Sequence, residues 1–235
     1  MPEHHSADQP PVPASPAAVP PAVMASAAWL RETVEAMLGR HEATGELPPI
    51  VQLGHPALRM RAADVDGQLG DELLHRFLHL MRAVMHAAPG VGLAAPQLGV
   101  PLRMAVLEDL FEVAPEVAQV RERRPLGFFA ALNPAYAARG TRRAAFYEGC
   151  LSFAGFQAVV DRPADIDARW EEPGGARRAA VFSGWQARIF QHETDHLNGV
   201  VYIDRALTRS LSTNANYLQR WAAPGITDAR AGLGF

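Results

Sequence analysis

On a helix His192 and His196 share a face and can grip one metal ion, and that pairing constrains the chain more than any other feature. They stand in the run Gln191-His192-Glu193-Thr194-Asp195-His196. Four residues apart on a helix, the two imidazoles share a face. Glu193 stands beside the pair without being needed as a ligand, which is where a general base belongs. Trp185 and Ile189 recur on the same face, so the metal face is also a core face. Ser183, with Gln186 three residues on, reads as a capping box that starts the helix, and Asn198-Gly199 as its end.

The third ligand separates one class of metal hydrolase from another. After His196 the chain holds no further His and no Glu, and Asp204 is the nearest downstream carboxylate. The longer metallopeptidase signature needs a His where Tyr202 stands. An upstream ligand is therefore favoured, and Cys150, the single cysteine, stands out within Glu148-Gly149-Cys150-Leu151-Ser152. One thiolate and two imidazoles leave a fourth position open, as in a catalytic site. A metallopeptidase and a non-catalytic metal- or peptide-binding module remain the competing readings.

A third segment, Gly90-Val91-Gly92-Leu93-Ala94-Ala95-Pro96-Gln97, reads as a loop with close backbone approach. With these three segments in this order, the chain resembles the peptide deformylase family, whose motifs are Gly-x-Gly-Leu-Ala-Ala-x-Gln, Glu-Gly-Cys-Leu-Ser and Gln-His-Glu-x-Asp-His-Leu-x-Gly. Gln52 to Arg59 looks like the family's opening strand and turn, with His55 in place of the usual Asp. Leu132-Asn133-Pro134 and Val160-Asp161-Arg162 match as well, and coverage runs from about residue 48 to about 210. Phe153-Ala154-Gly155 departs from the hydrophobic residue and Pro that many members carry after this Ser, which leaves peptide preference beyond methionine open.

The resemblance implies a hydrolase that removes the formyl group from the formyl-methionine of nascent polypeptides. It implies one divalent metal per chain held by Cys150, His192 and His196, with Fe²⁺ as the working metal and Zn²⁺, Ni²⁺ or Co²⁺ able to occupy the site. It supplies oxyanion donors in the Gln97 amide and the backbone N–H of Leu151, beside Glu193 as base and then acid. Val91, Gly92, Trp185, the stem of Arg188, and Ile189 are expected to line the methionine slot. Glu148, Arg162 and Asp195 are expected to form a charged network holding the motif helix against the cysteine strand. The substrate emerges at the ribosome, which places the enzyme near it, although no strongly basic C-terminal helix argues for docking.

Composition bounds the remaining classes. A length of 235 residues with 49% hydrophobic content suits one soluble domain. A net charge of −3 gives no case for nucleic acid or an anionic membrane. Every basic side chain besides histidine is Arg, which removes Schiff-base and P-loop lysine chemistry. One cysteine forms no internal disulfide, and neither a secretory signal nor a bilayer-spanning run is visible, so a cytoplasmic enzyme is expected.

Residues 1–25, rich in Pro and Ala, read as a disordered extension. Residues 26–222 read as the catalytic domain and 223–235 as a loose tail. Helices are expected over 27–43, over 71–88 with Asp71 as cap, and around 213–222. Strands are expected at Arg103–Leu107, at Gly127–Leu132 and within 135–147, 156–170 and 176–182, with Pro173-Gly174-Gly175 turning a hairpin. His75 and His79, four apart on the second helix, read as surface histidines. The predicted class is α+β, with mixed or antiparallel β-sheets packed around the motif helix.

Overall fold

A computed structural model describes residues 21–24 and 26–235. The extension predicted to be disordered lies outside the described residues except at Pro21–Met24, which form a helical turn, α1, with Met24 buried. Three further helices precede the first long strands: α2 (Ala27–Thr44), α3 (Asp71–Ala87) and, after the short strands β1 (Gly92–Ala94) and β2 (Met104–Asp109), α4 (Pro115–Val120). Then come β3 (Leu126–Ala138), β4 (Arg143–Cys150), β5 (Phe153–Pro163), β6 (Asp165–Glu171) and β7 (Arg177–Ser183). The motif helix α5 (Gly184–Leu197) follows, and β8 (Ser212–Thr213), α6 (Asn214–Asn216) and α7 (Thr227–Leu233) close the chain.

The strands form two antiparallel sheets, one of five in the order β1-β2-β3-β6-β7 and one of three in the order β4-β5-β8. The α+β class holds. The five-stranded sheet is buried on two sides of its β1–β2 end. Leu30, Val34 and Leu38 of α2 and Phe77, Met81 and Met85 of α3 join Leu93, Met104 and Val106 in one cluster. Ala187, Ile189, Phe190 and Leu197 of α5 join Ala105, Leu107, Ala131 and Ile166 in another. Burying a side chain of this size is worth about 1.5–3 kcal/mol.

β3 is long enough to pair β2 along its first half and β6 mainly along its second, and its register against β6 shifts at Asn133-Pro134, between Leu132 and Ala135. Asn133 takes a φ of 49°, which Asn tolerates better than most residues, and its Oδ1 accepts the Val65 N–H at 2.8 Å.

Several local expectations needed correcting. Gly70, not Asp71, is the N-cap of α3, and it makes no side-chain cap bond. Ser183 is the N-cap of α5 but does not cap it through its side chain, and Gln186 donates to the Pro125 carbonyl at 3.0 Å. Gly92–Ala94 is a strand and Ala95–Leu98 a 3₁₀ turn where a loop was expected. No strand forms at Gln52; the chain there is held by Val51 N–H to Gln97 O and Leu53 N–H to Ser152 O. His55 still does a cap's work, its Nδ1 accepting the Ala57 N–H at 3.2 Å. The helix expected around 213–222 is the short α6 running into a π-turn at Tyr217–Trp221. The predicted loose tail contains α7, whose Ala229 packs with Tyr147, Val159 and Tyr217, with Phe235 beside them.

Candidate metal centre

Three elements carry the site. The motif helix brings His192, Glu193 and His196; the end of β4 brings Cys150; the segment through β1 brings Gly92 and Gln97. The helix is seated by close backbone approach at both ends. A Cβ on Gly184 would collide with Glu122, and one on Gly199 would lie 2.6 Å from the Arg59 carbonyl oxygen. Both glycines have positive φ, at 59° and 74°. At the C-terminus the Arg103 guanidinium donates to Leu197 O at 3.2 Å and to Asn198 Oδ1 at 2.9 Å, in the position where helix carbonyls lack partners.

Cys150 comes to the helix through a register shift between Gly149 and Cys150, which closes the β4–β5 turn. Ligand atoms of Cys150, His192 and His196 all lie within 4.8 Å of one another, and among the described residues they form the one such group. Cys150 Sγ is 3.2 Å from His196 Nε2. His192 Nδ1 is 2.9 Å from Glu148 Oε2. A carboxylate only accepts, so Nδ1 carries the proton and Nε2 presents its lone pair. His75 and His79 stay exposed on α3.

Glu193 is 5% exposed, and its Oε2 has no hydrogen-bond partner. Burial pushes its carboxyl up to about 7, with His192 and Arg162 opposing the shift. Gly92 lies so close to this carboxyl that a Cβ would collide with it, which accounts for the second glycine of the first motif. His196 Nδ1 is likewise buried without a partner, and burial beside His192 pushes that imidazole well below its ordinary value. Buried polar atoms left without partners call for an explanation. A thiol, two imidazoles and an unpartnered carboxyl around one point are the donor set of a divalent metal site with a base beside it.

Gln97 is buried, and its Oε1 accepts the Ala94 N–H at 2.8 Å. That bond turns the amide so that Nε2 faces Cys150 Sγ at 3.7 Å. Leu151 follows Cys150 in the turn, its carbonyl held by Gln52 Nε2 at 3.0 Å. Gln97, Leu151, Val91, Gly92, Trp185, Arg188 and Ile189 all border a cavity of about 560 Å³ that also reaches Cys150, His192 and Glu193. The stem of Arg188 is in the wall, but its guanidinium points away, to Glu148 and to the carbonyls of Val160 and Ala144.

Behind Cys150, His192 and His196 lies a buried charge network. Arg162 grips Glu148 through two bonds of 2.7 and 3.0 Å and reaches Asp195 Oδ2 at 2.7 Å. Burial by itself would raise the Glu148 carboxyl, but Arg162, His192 and Arg188 hold it well below the usual carboxylate range. Tyr136 and Arg205 complete the ring on Asp195, each at 3.0 Å from Oδ1. Sequence reasoning missed these two and Arg121, which also lines the cavity. No local signal marks them, because each is one Tyr or Arg among several. Asp204, the downstream alternative, accepts the Val201 N–H and pairs with Arg59, outside the ligand group. A metallopeptidase site with a downstream ligand is not what this geometry builds.

The polypeptide deformylase family model matches residues 47–211. The chain belongs to that family. Peptide deformylase 3 of Streptomyces avermitilis is 52% identical over 206 residues, covering 88% of this chain and 90% of that one. The human mitochondrial peptide deformylase is 37% identical over 175 residues, 72% of each chain. Among solved structures, a class I type b peptide deformylase from Acinetobacter baumannii with bound Met-Ala-Ser aligns with a TM-score of 0.61 at 28% identity, covering 68% of this chain and 98% of that one. The family's reaction is hydrolytic removal of the N-formyl group from nascent polypeptides, it depends on a metal, and this chain is a hydrolase of that kind. No helix among the described residues is long and apolar enough to cross a membrane.

Proposed function

We propose that Cys150, His192 and His196 hold the deformylase metal, that Glu193 is the acid–base group, and that Gln97 and Leu151 supply the oxyanion donors. The observation that carries this reading is the meeting of one thiol and two imidazoles beside a buried carboxyl with no other partner. A divalent metal in such a ligand set acts as a Lewis acid and lowers the pKa of water toward neutrality. Glu193 takes the proton from the attacking water at a carboxylate oxygen. It then passes that proton to the amine nitrogen as the formyl C–N bond breaks. Gln97 Nε2 and the Leu151 N–H donate to the negative charge that develops on the formyl oxygen; one such donor is typically worth about 100- to 1000-fold in rate. Formate leaves, and the peptide keeps a free N-terminal methionine. The relative with bound Met-Ala-Ser carries a peptide of that product class.

Val91, Gly92, Trp185, Ile189 and the Arg188 stem form the methionine slot in this reading. Glu148, Arg162 and Asp195 orient His192 and the motif helix. Fe²⁺ is the proposed cellular metal, on the strength of the family resemblance, although Zn²⁺ has the higher intrinsic affinity. The proposed workplace is the cytoplasm, close to the ribosome. The catalytic region is proposed to span 26–222.

Formate release from formyl-Met-Ala-Ser, by protein purified anaerobically with Fe²⁺ or Ni²⁺, tests the assignment. Glu193→Ala is expected to abolish turnover while keeping stoichiometric metal, and Cys150→Ala to lose both. Air should inactivate the iron form, in part through oxidation of Cys150. A fully active Glu193→Ala protein would sink the mechanism.

A further inference from the structure

Two guanidinium groups line the cleft, and one of them, Arg188, is answered by Glu148. The other is Arg121. Its guanidinium donates through Nε to Pro224 O at 3.1 Å and through Nη2 to Ala223 O at 3.4 Å. Its Cζ lies 5.1 Å from the Trp185 ring centroid and 5.6 Å from that of Phe146. Among the described residues it meets no carboxylate. The neighbouring acids are already engaged, Glu122 with Arg142 and Asp109 with Arg123.

The position of this charge is built in. Arg121 ends α4, and the next residue, Glu122, lies against Gly184 at the start of the motif helix so closely that a Cβ there would collide with it. Two aromatic rings and two main-chain carbonyls then hold the guanidinium in place. A guanidinium has five N–H groups, and both on Nη1 are left for a ligand. A half-buried, oriented, uncompensated cation at a peptide cleft favours an anion in its substrate.

We propose that Arg121 is a specificity-determining residue of the deformylase reaction, selecting formyl-methionyl peptides with an acidic side chain at the second or third residue. This rests on the reading of the cavity as the peptide cleft. Trp185, under Arg121, lies about two helical turns from His192, which is about 10 Å. An extended peptide advances about 3.4 Å per residue, so a carboxylate within two residues of the methionine comes within reach.

The test uses C-terminally amidated peptides, so that no terminal carboxylate competes: formyl-Met-Ala-Ser, and versions with Asp or Lys at the second or third residue. Wild-type enzyme should prefer Asp over Lys by about three- to tenfold in kcat/KM at one of those positions, carried mainly by KM. Arg121→Lys should keep the preference, Arg121→Gln should remove it, and Arg121→Glu should invert it. Should Arg121→Glu fail to fold, the Lys and Gln variants still decide. Equal rates for Asp and Lys peptides in the wild type would overturn the proposal. So would variants that slow every peptide alike, because Arg121 would then be only a strut for the 223–224 segment. Absence of formate from wild type with any peptide would instead overturn the peptide-cleft reading, and the proposal with it.

Discussion

Arg162–Asp195 behind the proposed metal ligands and Arg139–Asp167 on the five-stranded sheet are the same chemical pair at the same N–O distance of 2.7 Å. The first pair has side chains 2% exposed, the second 56% and 54%. Distance therefore says little about what each contributes. On the surface, water screens the charges and the long side chains lose entropy, so such pairs are worth about 0–1 kcal/mol. In the interior the ions have given up hydration, and each depends on the others for compensation. Glu148 shows the consequence, since one carboxylate answers Arg162, Arg188 and His192 together. The inner network holds the β4 strand to the motif helix, whereas the outer pair spans neighbouring strands that backbone bonds already join.

Removing the shared carboxylate should give the largest effect. Glu148→Ala leaves the buried Arg188 guanidinium without a carboxylate, leaves Arg162 with Asp195 alone, and frees His192 Nδ1. The expected cost is roughly 3–5 kcal/mol in denaturant unfolding, with metal affinity down about 10- to 100-fold in a chelator competition. A loss below about 1 kcal/mol would place the inner network energetically with surface pairs and break the contrast.

A middle case sharpens it. Asp165 is pushed down to about 2, chiefly by its hydrogen bond from Arg142, with Ser183 assisting. Its folded value lies below the unfolded one, so the stability it contributes is complete above about pH 3.9 and is lost as pH falls through about 2. Carboxyl NMR titration of Arg142→Ala should show Asp165 rising toward the ordinary value, and an unchanged Asp165 would mean another group holds it down. The smallest effect belongs to Arg139→Ala, expected to change unfolding free energy by less than about 1 kcal/mol and to leave formate release as it was. A loss of several kcal/mol there would mean that exposure is a poor guide to the worth of a charge pair in this fold.

The site was legible where its logic is local. Four-residue spacing on a helix puts His192 and His196 on one face whatever else the chain does, and Glu193 follows by adjacency. Periodicity likewise marked α2 and α3, because burial repeats with the period of the element, and Pro173-Gly174-Gly175 marked the turn of the β6–β7 hairpin. Capping was less legible. Ser183 had the right residue type and stands at the N-cap, but it also ends β7 opposite Asp165, and its side chain makes no cap bond. The tail after residue 222 carries little periodicity, and α7 is held by packing on Tyr147 and Tyr217 from elsewhere in the fold.

The sequence by itself determined the donor types, the helical pair and, through three ordered motifs, the family. Only the tertiary structure decided how those donors are aimed. Glu148 and His192 are 44 residues apart and Gln97 and Cys150 are 53 apart. Which imidazole nitrogen faces the centre and which amide atom faces the thiol depend on strand pairing, a bulge and two close glycine contacts. Those are properties of distant segments brought together, and local preference along a chain does not encode which distant partner a side chain will meet.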